Sequence, residues 1–259
     1  MIKILVRKYT FQYSLDDPLR SVEHGRILKN KEFLNRLYKK WYFEFKNVAD
    51  EFPDGKFVEL GSGGGFLKEI IPSVITSDIN TIPNIDMVFS ATNMPFEDNS
   101  ISAIFMIDAF HHFSDVEEFF RESERVLKEN GKIVMIEPWN TIFSRFIYTK
   151  FHHELFDPKI DWTFPSSGPL SGSNMALPWI VFSRDQKKFN MKFSNFTLKN
   201  MDLHTPFMYL FSGGFSRKQM LPEIFDSLLN CIDNLPSFLM KKFAMFATIE
   251  IEKNKSKNE

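Results

Sequence analysis

One stretch, residues 57–66, constrains the fold of this chain more than any other. Its sequence is Phe-Val-Glu-Leu-Gly-Ser-Gly-Gly-Gly-Phe, a short apolar run that ends in glycines. The run predicts a buried parallel strand, and the apolar spacing that resumes at Phe66 predicts a helix. A strand, a glycine turn and a helix in this order predict a ligand cradle, because glycine permits a sharp turn and a helix start offers free N–H groups.

Three nucleotide-type ligands use such a cradle, and the residues around the glycines distinguish them. A phosphate-binding loop requires Gly-Lys-Ser/Thr at its end, whereas Gly65 is followed by Phe66. A dinucleotide fingerprint requires Gly or Ala at its sixth position, where Phe66 is too large for close packing of helix on strand. What remains, Glu59-x-Gly61-x-Gly63-x-Gly65, resembles motif I of class I S-adenosylmethionine-dependent methyltransferases.

The resemblance implies that S-adenosylmethionine is the cofactor and that S-adenosyl-L-homocysteine is the product. Glu59 suits this cofactor physically, since the cofactor carries an ammonium and a sulfonium group and no phosphate. A carboxylate near the turn is therefore a better partner than a lysine would be. A glycine-rich turn that binds no ligand is the alternative interpretation of the same residues.

A second predicted strand, residues 74–77, leads to Asp78, which lies 17 residues after Gly61. In nucleotide-binding α/β folds an acidic residue at about this distance hydrogen-bonds the ribose hydroxyls, the expected separation being about 20 residues. We therefore expect Asp78 to bind the ribose and Ile79 to cover the adenine face. An aspartate that only caps a turn is the alternative for Asp78.

Residues 90–100, Ser-Ala-Thr-Asn-Met-Pro-Phe-Glu-Asp-Asn-Ser, resemble a further signature of the same family, Asp-Ala-x-x-Leu-Pro-Phe-x-Asp-x-Ser. Ser90 replaces the family's adenine-binding aspartate, so adenine recognition is expected to use backbone groups of Ala91 and Thr92 as well. Residues 125–138 also resemble the family, and together the matches cover residues 56–139. The predicted cofactor-binding residues are Glu59, Gly61, Ser62, Gly63, Gly65, Phe66, Asp78, Ile79, Ser90, Ala91, Thr92 and Asp108.

Two histidine pairs are the candidates for acid–base chemistry. His111 and His112 follow the predicted fourth strand, residues 103–107, at the sheet edge where ligands bind. His152 and His153 follow a predicted helix. An imidazole with a pKa near 6.5 accepts a proton at working pH, so His111, His112 and His153 are the predicted catalytic residues; helix capping and packing are the alternatives. No metal site is predicted, because adjacent histidines on a helix point about 100° apart.

The predicted fold is α/β, a Rossmann-like seven-stranded, mostly parallel sheet with helices on both faces and an antiparallel last strand. An N-terminal helical segment precedes it, and an insertion follows the fifth strand. One methyltransferase domain is expected over residues 1–259. Its parts are an N-terminal helical cap (1–52), a cofactor-binding core (53–139), a substrate-covering insertion (140–190), the C-terminal part of the sheet (191–252) and a flexible tail (253–259).

Local patterns add further expectations. The helical segment 19–49 should break near Gly25 or Asn30, and Ser114 with Glu117 predicts a capping box for the helix that follows. The loop 161–178 should cover the substrate with an aromatic lining from Trp162, Phe164 and Trp179. The remaining predicted elements are a possible strand at 3–9, helices at 142–151, 184–189 and 221–235, and strands at 132–137, 196–204 and 243–252.

Composition narrows the function classes. The formal net charge is −1 at pH 7, so electrostatic capture of nucleic acid is not expected. Cys231 is the only cysteine, which excludes an internal disulfide and fits a reducing compartment. No signal peptide core or membrane span is apparent from the sequence. We therefore expect a cytoplasmic protein without a membrane span, whose partner is a small-molecule acceptor.

Taken together, these residues predict a methyltransferase whose signatures most resemble the type 11 group of quinone, sugar and natural-product methyltransferases. It would move a methyl group to a small or medium-sized acceptor, and we expect the methylated atom to be an oxygen of a metabolite, a lipid-like compound or a glycan precursor. A non-catalytic S-adenosylmethionine-binding sensor or partner subunit is the alternative, which Ser90 and Ser102 favour slightly. A third alternative, an NAD-dependent reductase, is disfavoured by Phe66.

Overall fold

The computed structural model describes residues 8–165, 168, 170–233 and 236–255. In that part of the chain seven strands form one sheet, with the bounds Phe57–Glu59 (β1), Ile75–Asp78 (β2), Met87–Val88 (β3), Ile101–Ile107 (β4), Leu127–Pro138 (β5), Phe196–His204 (β6) and Phe246–Lys253 (β7). The strand order is β3-β2-β1-β4-β5-β7-β6. Strands β1 to β5 pair in parallel, and β7 is antiparallel to both β5 and β6. The predicted sheet is confirmed.

Helical segments lie around this sheet. Within the described residues the α-helices are Pro18–Asn30 (α1), Glu32–Ala49 (α2), Val116–Val126 (α3), Ile142–Phe151 (α4), Leu177–Trp179 (α5), Gln186–Lys192 (α6), Met208–Ser212 (α7), Asp226–Asp233 (α8) and Ser237–Phe243 (α9). None of the helices in the described part of the chain combines the length and the apolar composition that a membrane-spanning helix needs.

The strand order reverses at β1, which has β2 on one side and β4 on the other. In open parallel sheets the crevice at such a reversal, outside the carboxyl ends of the strands, is where ligands bind. Glu59 and Asp78 are the last residues of β1 and β2, and Asp108 follows β4 directly. The topology therefore gathers three carboxyl groups at one edge of the sheet.

The N-terminal helices pack against this edge and against the sheet. The side chain of Asp17 caps α1 by accepting a hydrogen bond from the N–H of Leu19 at 2.8 Å. The predicted break near Asn30 is confirmed, because Lys31 is extended and separates α1 from α2. Helix α2 turns its apolar face inward, and Phe45 stacks on Phe105 of β4 with ring centroids 4.9 Å apart. Burial of each such large side chain stabilises the fold by about 1.5–3 kcal/mol.

The helix predicted after the glycine turn is wrong, since only one 3-10 turn, Leu67–Glu69, forms there. The ring of Pro72 would clash with the carbonyl of Lys68 in a longer helix. The N–H of Phe66 donates to the hydroxyl of Tyr42 at 3.3 Å. The cradle therefore has no long helix start behind it and consists of the turn's own backbone.

The start of α3 also differs from the prediction. Asp115, not Ser114, is the N-cap, and its Oδ1 accepts from the N–H of Glu118 at 3.0 Å. The helix ends at Val126, because Leu127 already pairs with β4 as the first residue of β5. The predicted capping box of Ser114 with Glu117 is thus replaced by an aspartate cap one residue later.

In the insertion, α4 forms over the predicted residues, but the aromatic lining of the loop is wrong. Trp162 is buried, and its Nε1 donates to Asp185 at 3.0 Å. Phe164 and Trp179 pack against the core. The loop contributes Gly168, Leu170 and Met175 to the cavity wall instead. The predicted helix 184–189 is shifted to α6, after α5 and a π-turn at Ile180–Arg184.

Near the C-terminus, β6 has the predicted bounds, whereas β7 starts at Phe246 because Phe243 still belongs to α9. The helix predicted at 221–235 is represented by a 3-10 turn, Glu223–Phe225, followed by α8. Lys253 lies in β7, and its Nζ donates to the carbonyl of Leu127 at 2.7 Å, so the tail does not begin there. Of the predicted strand 3–9, residues 3–7 lie outside the described residues.

Candidate functional site

A cavity of about 630 Å³ opens at the carboxyl ends of β1, β2 and β4. Its walls come from α1, the glycine turn, the segments that follow β2 and β4, the end of α4 and the insertion loop. These segments supply Ser21 and His24, residues 61–65, residues 77–80 and 90–92, residues 108, 109 and 111–115, residues 152–154, and Gly168, Leu170 and Met175. One cavity thus joins most of the predicted cofactor residues to both histidine pairs.

The glycine turn is held in place by β2. The N–H of Ser62 donates to the carbonyl of Ser77 at 2.8 Å, and the N–H of Ser77 donates to Oγ of Ser62 at 3.1 Å. Gly61 and Gly63 have φ of 65° and 49°, which side-chain-bearing residues rarely adopt. A Cβ on Gly63 would have no heavy-atom neighbour closer than 3.9 Å, so the cavity-facing side of this residue is open space.

Glu59 is buried beneath the turn, with 2% of its surface exposed. Its Oε2 is buried and has no hydrogen-bond partner among the described residues. Burial raises the pKa of this carboxyl to about 8, although hydrogen bonds from Ser62 and Tyr42 act in the opposite direction. An orphaned acidic oxygen in a cavity wall is costly unless a ligand occupies it.

Asp78 and Asp108 flank Glu59. The Oδ2 of Asp78 accepts from the N–H of Gly63 at 3.1 Å, and its Oδ1 accepts from the N–H of Asn80 at 2.9 Å. Burial raises the pKa of Asp78, and burial also raises the pKa of Asp108 to about 8. Asp108 has a φ of 52°, a strained conformation typical of functional positions.

The residues predicted to bind adenine differ in their exposure and in their contacts. Ile79 is 59% exposed, and it lines the cavity together with Ala91 and Thr92. The Oγ of Ser90 lies 2.8 Å from Oγ1 of Thr92 and accepts from the N–H of the same residue at 3.2 Å. The ring of Phe66 packs edge-on against Tyr42 and is absent from the cavity lining, so only its backbone belongs to the turn.

This end of the cavity fits a positively charged nucleoside cofactor. Three carboxyl groups surround the turn, and Arg20 is the only Lys or Arg among the described lining residues. The unpartnered Oε2 of Glu59 is a suitable acceptor for an ammonium group, and the open side of Gly63 leaves room for the cofactor itself. A bound cation would favour the ionised form of these carboxyl groups in spite of their raised pKa values, whereas a phosphate group would oppose it.

The other end of the cavity is rich in histidine. Five of the six histidines in the chain line it, namely His24, His111, His112, His152 and His153. His111 donates from Nδ1 to Oε2 of Glu137 at 2.7 Å, and its Nε2 lies 3.2 Å from Oε2 of Glu154. Burial alone would lower the pKa of His111, but Glu137 and Glu154 raise it well above the usual value.

The neighbouring imidazoles are neutral at physiological pH. Burial lowers the pKa of His112 to about 3 and the pKa values of His24 and His152 to about 4. The Nδ1 of His112 is buried and has no hydrogen-bond partner in the described chain. The side chain of His153, by contrast, is 46% exposed. Among the predicted catalytic residues, His112 therefore has a neutral imidazole with an unpartnered nitrogen at the cavity wall.

Sequence reasoning did not assign roles to Tyr42 and Glu137. Tyr42 comes from α2 and reaches the turn through Phe66 and Glu59. Glu137 is fully buried near the end of β5 and also accepts from the N–H groups of Ala109 and Phe110, at 2.8 and 2.7 Å. An acidic residue at the carboxyl end of a buried parallel strand was the available signal for Glu137, whereas nothing local indicated Tyr42.

Comparison with known proteins finds similarity to methyltransferases over part of the chain. Residues 58–135 match the family described as a methyltransferase domain. The chain is 35% identical over 112 residues to an uncharacterized methyltransferase-like protein of Schizosaccharomyces pombe, covering 36% of this chain and 43% of that protein. It is 29% identical over 139 residues to a demethylmenaquinone methyltransferase of Thermotoga maritima, covering 45% of this chain and 61% of that protein.

The fold is also similar to that of solved structures. A crystal structure of an S-adenosylmethionine-dependent methyltransferase from Thermotoga maritima aligns with a TM-score of 0.50 at 14% identity, over 88% of this chain and 99% of that chain. At this level of identity the likeness concerns the fold alone. The chain spans about half the length of the curated relatives that it matches.

Proposed function

We propose that this chain, which carries a class I S-adenosylmethionine-dependent methyltransferase domain, moves a methyl group from S-adenosylmethionine to an oxygen of a small or medium-sized acceptor. One observation carries the proposal: a single cavity joins an acidic end, with the orphaned Oε2 of Glu59, to a histidine-rich end. The acidic end suits the charged donor, and the histidine-rich end suits an acceptor that must lose a proton.

Residues at the acidic end have separate roles in holding the donor. Glu59 binds the ammonium group, Asp78 binds the ribose hydroxyls, and Ile79 covers one face of the adenine. The backbone of residues 61–65 forms the floor, and Ser90, Ala91 and Thr92 border the adenine. When bound, S-adenosylmethionine supplies a methyl group that its positive sulfur already activates. The chain's main task is alignment, which contributes about 7–11 kcal/mol to such reactions.

The remaining volume and walls favour a small acceptor. Helix α1 and the insertion loop both contribute residues to the cavity wall. The lining mixes aromatic and aliphatic side chains such as Tyr38, Tyr209 and Phe215 with histidines. A ring-bearing or lipid-like alcohol, or a glycan precursor, suits such a wall. The similarity to a demethylmenaquinone methyltransferase supports an aromatic or lipid-like acceptor.

In the proposed reaction, the histidine-rich end orients the acceptor and handles its proton. His111 is fixed between Glu137 and Glu154, so its ring orients neighbouring groups instead of taking up a proton itself. His112 offers a neutral imidazole at the cavity wall, and His153 stands near the entrance, with its side chain half exposed. We therefore assign orientation to His111 and proton handling to the group formed by His112, Glu154 and His153.

The net charge and the cysteine content of the chain support a small-molecule partner and a cytoplasmic location. The near-neutral net charge favours a small metabolite over nucleic acid as partner, and the single cysteine suits the reducing conditions of the cytoplasm.

The experiment is a transfer assay with methyl-labelled donor and a panel of phenols, quinols, polyprenyl alcohols and sugars. We expect S-adenosylhomocysteine to form at a rate that depends on one acceptor class, and Gly63→Val to abolish it. Binding of the donor without turnover by any class would favour a non-catalytic role. Absence of both binding and turnover would contradict the proposal.

A further inference from the structure

We infer that His111, His112 and Glu154 form a binding site for one divalent transition-metal cation at the histidine-rich end of the cavity. One candidate ligand atom from each of the three residues lies within 4.8 Å of the other two. Two imidazoles and one carboxylate on one side of an ion leave further coordination positions open. Because the three residues line the cavity, the role of the ion rests on the methyl transfer proposed above, whereas its binding does not.

The spacing of two ligands suits a single ion. The Nε2 of His111 lies 3.2 Å from Oε2 of Glu154. Two ligand atoms each roughly 2.1 Å from a zinc-sized ion, at angles between octahedral and tetrahedral values, lie roughly 3.0–3.4 Å apart. These two atoms therefore need little or no movement to share a cation.

The chain also fixes which nitrogen of His111 is available. Its Nδ1 donates to Glu137 at 2.7 Å, so Nε2 is the nitrogen directed at Glu154 and the cavity. Glu137 is immobilised because it also accepts the N–H groups of Ala109 and Phe110. A buried carboxylate that orients a histidine ligand in this way is the usual support of a protein-bound metal.

The third ligand is a histidine that the described structure leaves without a partner. The ring of His112 lies 4.3 Å from that of His111, centroid to centroid, and its Nδ1 is buried and makes no hydrogen bond with any described residue. A buried imidazole nitrogen without a partner is costly, and coordination of a cation is one way to offset that cost. Nothing else in the described cavity wall occupies this atom.

An imidazolium at His111 that bridges two carboxylates is the competing interpretation. It accounts for the contacts of His111 with Glu137 and Glu154, but it leaves Nδ1 of His112 unexplained. The other candidate groups are weaker. The Nδ1 of His152 accepts from the N–H of Glu154 at 3.3 Å, and the side chain of His153 is half exposed.

The sequence argument against a metal assumed that His152 and His153 lie on a helix, but α4 ends at Phe151. That argument also did not concern His111 and His112, which lie in a 3-10 turn, Phe110–His112, at the end of β4. Burial of this turn against Glu137 brings both rings to the same place. The rings of His111 and His112 are therefore close because of the 3-10 turn and not because of helical periodicity.

The inferred role of the cation is to bind the acceptor oxygen. A hydroxyl bound to a divalent cation loses its proton more readily. Because His112 and Glu154 coordinate the cation, His153 is the member of the proton-handling group that accepts this proton. The oxygen then forms the new O–CH₃ bond while the C–S bond breaks, and the electron pair of that bond stays on sulfur. Neutral S-adenosylhomocysteine and the methyl ether are the products, and the cation is unchanged.

The test is metal binding by the full chain after treatment with EDTA and dialysis. We expect titration calorimetry with Zn²⁺, checked by elemental analysis, to show one equivalent bound. The Co²⁺-loaded chain should have a visible absorption spectrum typical of nitrogen ligation. His112→Ala and Glu154→Gln should each weaken Zn²⁺ binding at least tenfold, whereas His153→Ala should leave it within twofold. Binding of S-adenosylhomocysteine by each variant serves as the folding control.

The outcomes separate the metal site from the proposed reaction. Zn²⁺ that fails to bind to a chain that still binds S-adenosylhomocysteine would overturn the metal site and leave methyl transfer intact. Zn²⁺ that binds but is lost in His153→Ala and retained in His112→Ala would also overturn the assignment of ligands. Zn²⁺ binding with the expected variant pattern supports the site even if no acceptor is methylated.

Discussion

Gly25 of α1 lies directly against Gly64 of the glycine turn, so that a Cβ on Gly25 would stand only 2.9 Å from the carbonyl oxygen of Gly64. The absence of a side chain on both residues lets the helix rest on the turn. Helix α1 thereby becomes a wall of the cavity, to which it contributes Ser21 and His24. The N-terminal helix thus forms part of the cavity wall next to the glycine turn.

Gly25→Ala tests this contact. Alanine favours a helix by about 1 kcal/mol over glycine, so the substitution would stabilise an isolated helix. Here we expect the opposite effect, because the new methyl group collides with backbone and must push α1 away from the turn. Affinity for S-adenosylhomocysteine, measured by calorimetry, should fall several-fold. Arg26→Ala, at an exposed neighbouring position of α1, is the control, and equal affinities of both variants would refute the role of the contact.

Glu59→Gln tests the binding of the donor's ammonium group. A hydrogen bond to a charged group contributes about 1.5–3 kcal/mol, so the dissociation constant should rise about 10- to 100-fold. Because burial raises the pKa of Glu59 to about 8, affinity of the native chain should also increase as pH rises towards 8. Glu97→Gln, an exposed carboxyl outside the cavity, is the matched control. A pH-independent affinity that is equal in both variants would exclude Glu59 from the donor site.

Asp78→Asn tests the proposed ribose contact. The amide keeps one oxygen to accept from Gly63 or Asn80, so the turn should fold, but the charge that strengthens hydrogen bonds to ribose hydroxyls is lost. We expect donor binding to weaken by about 1–3 kcal/mol with little change in melting temperature. A lower melting temperature with unchanged affinity would mean that Asp78 only caps the turn.

The stability of the ligand-free chain should depend on pH in a defined direction. The pKa values of Glu59 and Asp108 are about 8 in the folded chain, and both are lower in the unfolded chain. The folded state therefore holds more protons, and the free energy of unfolding falls as pH rises from 6.5 to 8, by up to about 1.4 kcal/mol per pH unit for each group. Below pH 6.5 the buried neutral His24, His112 and His152 have the opposite effect. They take up protons more readily in the unfolded chain, so the free energy of unfolding falls as pH falls.

Denaturant unfolding of the native chain and of Glu59→Gln across this pH range checks the prediction. The difference in free energy of unfolding between the two proteins should change steadily as pH rises, with the native chain losing stability relative to the variant. A constant difference would show that Glu59 titrates alike in the folded and unfolded states.

The sequence was sufficient for the sheet and for the acidic end of the cavity, because the determinants there are local. Glu59 and the glycines lie within seven residues of one another, and Asp78 follows at the next strand end. The spacing of these residues along the sequence therefore predicts how they are arranged in space. The helix predicted after the turn failed for a local reason as well, since three glycines and Pro72 oppose it more strongly than its apolar spacing favours it.

The histidine-rich end could not be assembled from sequence, because its contacts join distant segments. Glu137 lies 26 residues from His111, and Glu154 lies 43 residues from it. These groups meet because β5 pairs with β4 and because the segment after α4 places Glu154 against His111. The same holds for the contact of Gly25 with Gly64, which no pattern along the chain indicates.

Calorimetric titration of S-adenosylmethionine, S-adenosylhomocysteine, ATP and NADH shows whether the glycine turn holds a sulfonium nucleoside or a phosphate-bearing cofactor. We expect saturable binding of the first two at one site per chain, with thermal stabilisation, and no binding by Gly63→Val. Heat and stabilisation from ATP or NADH alone, or from none of the four compounds, would contradict this expectation.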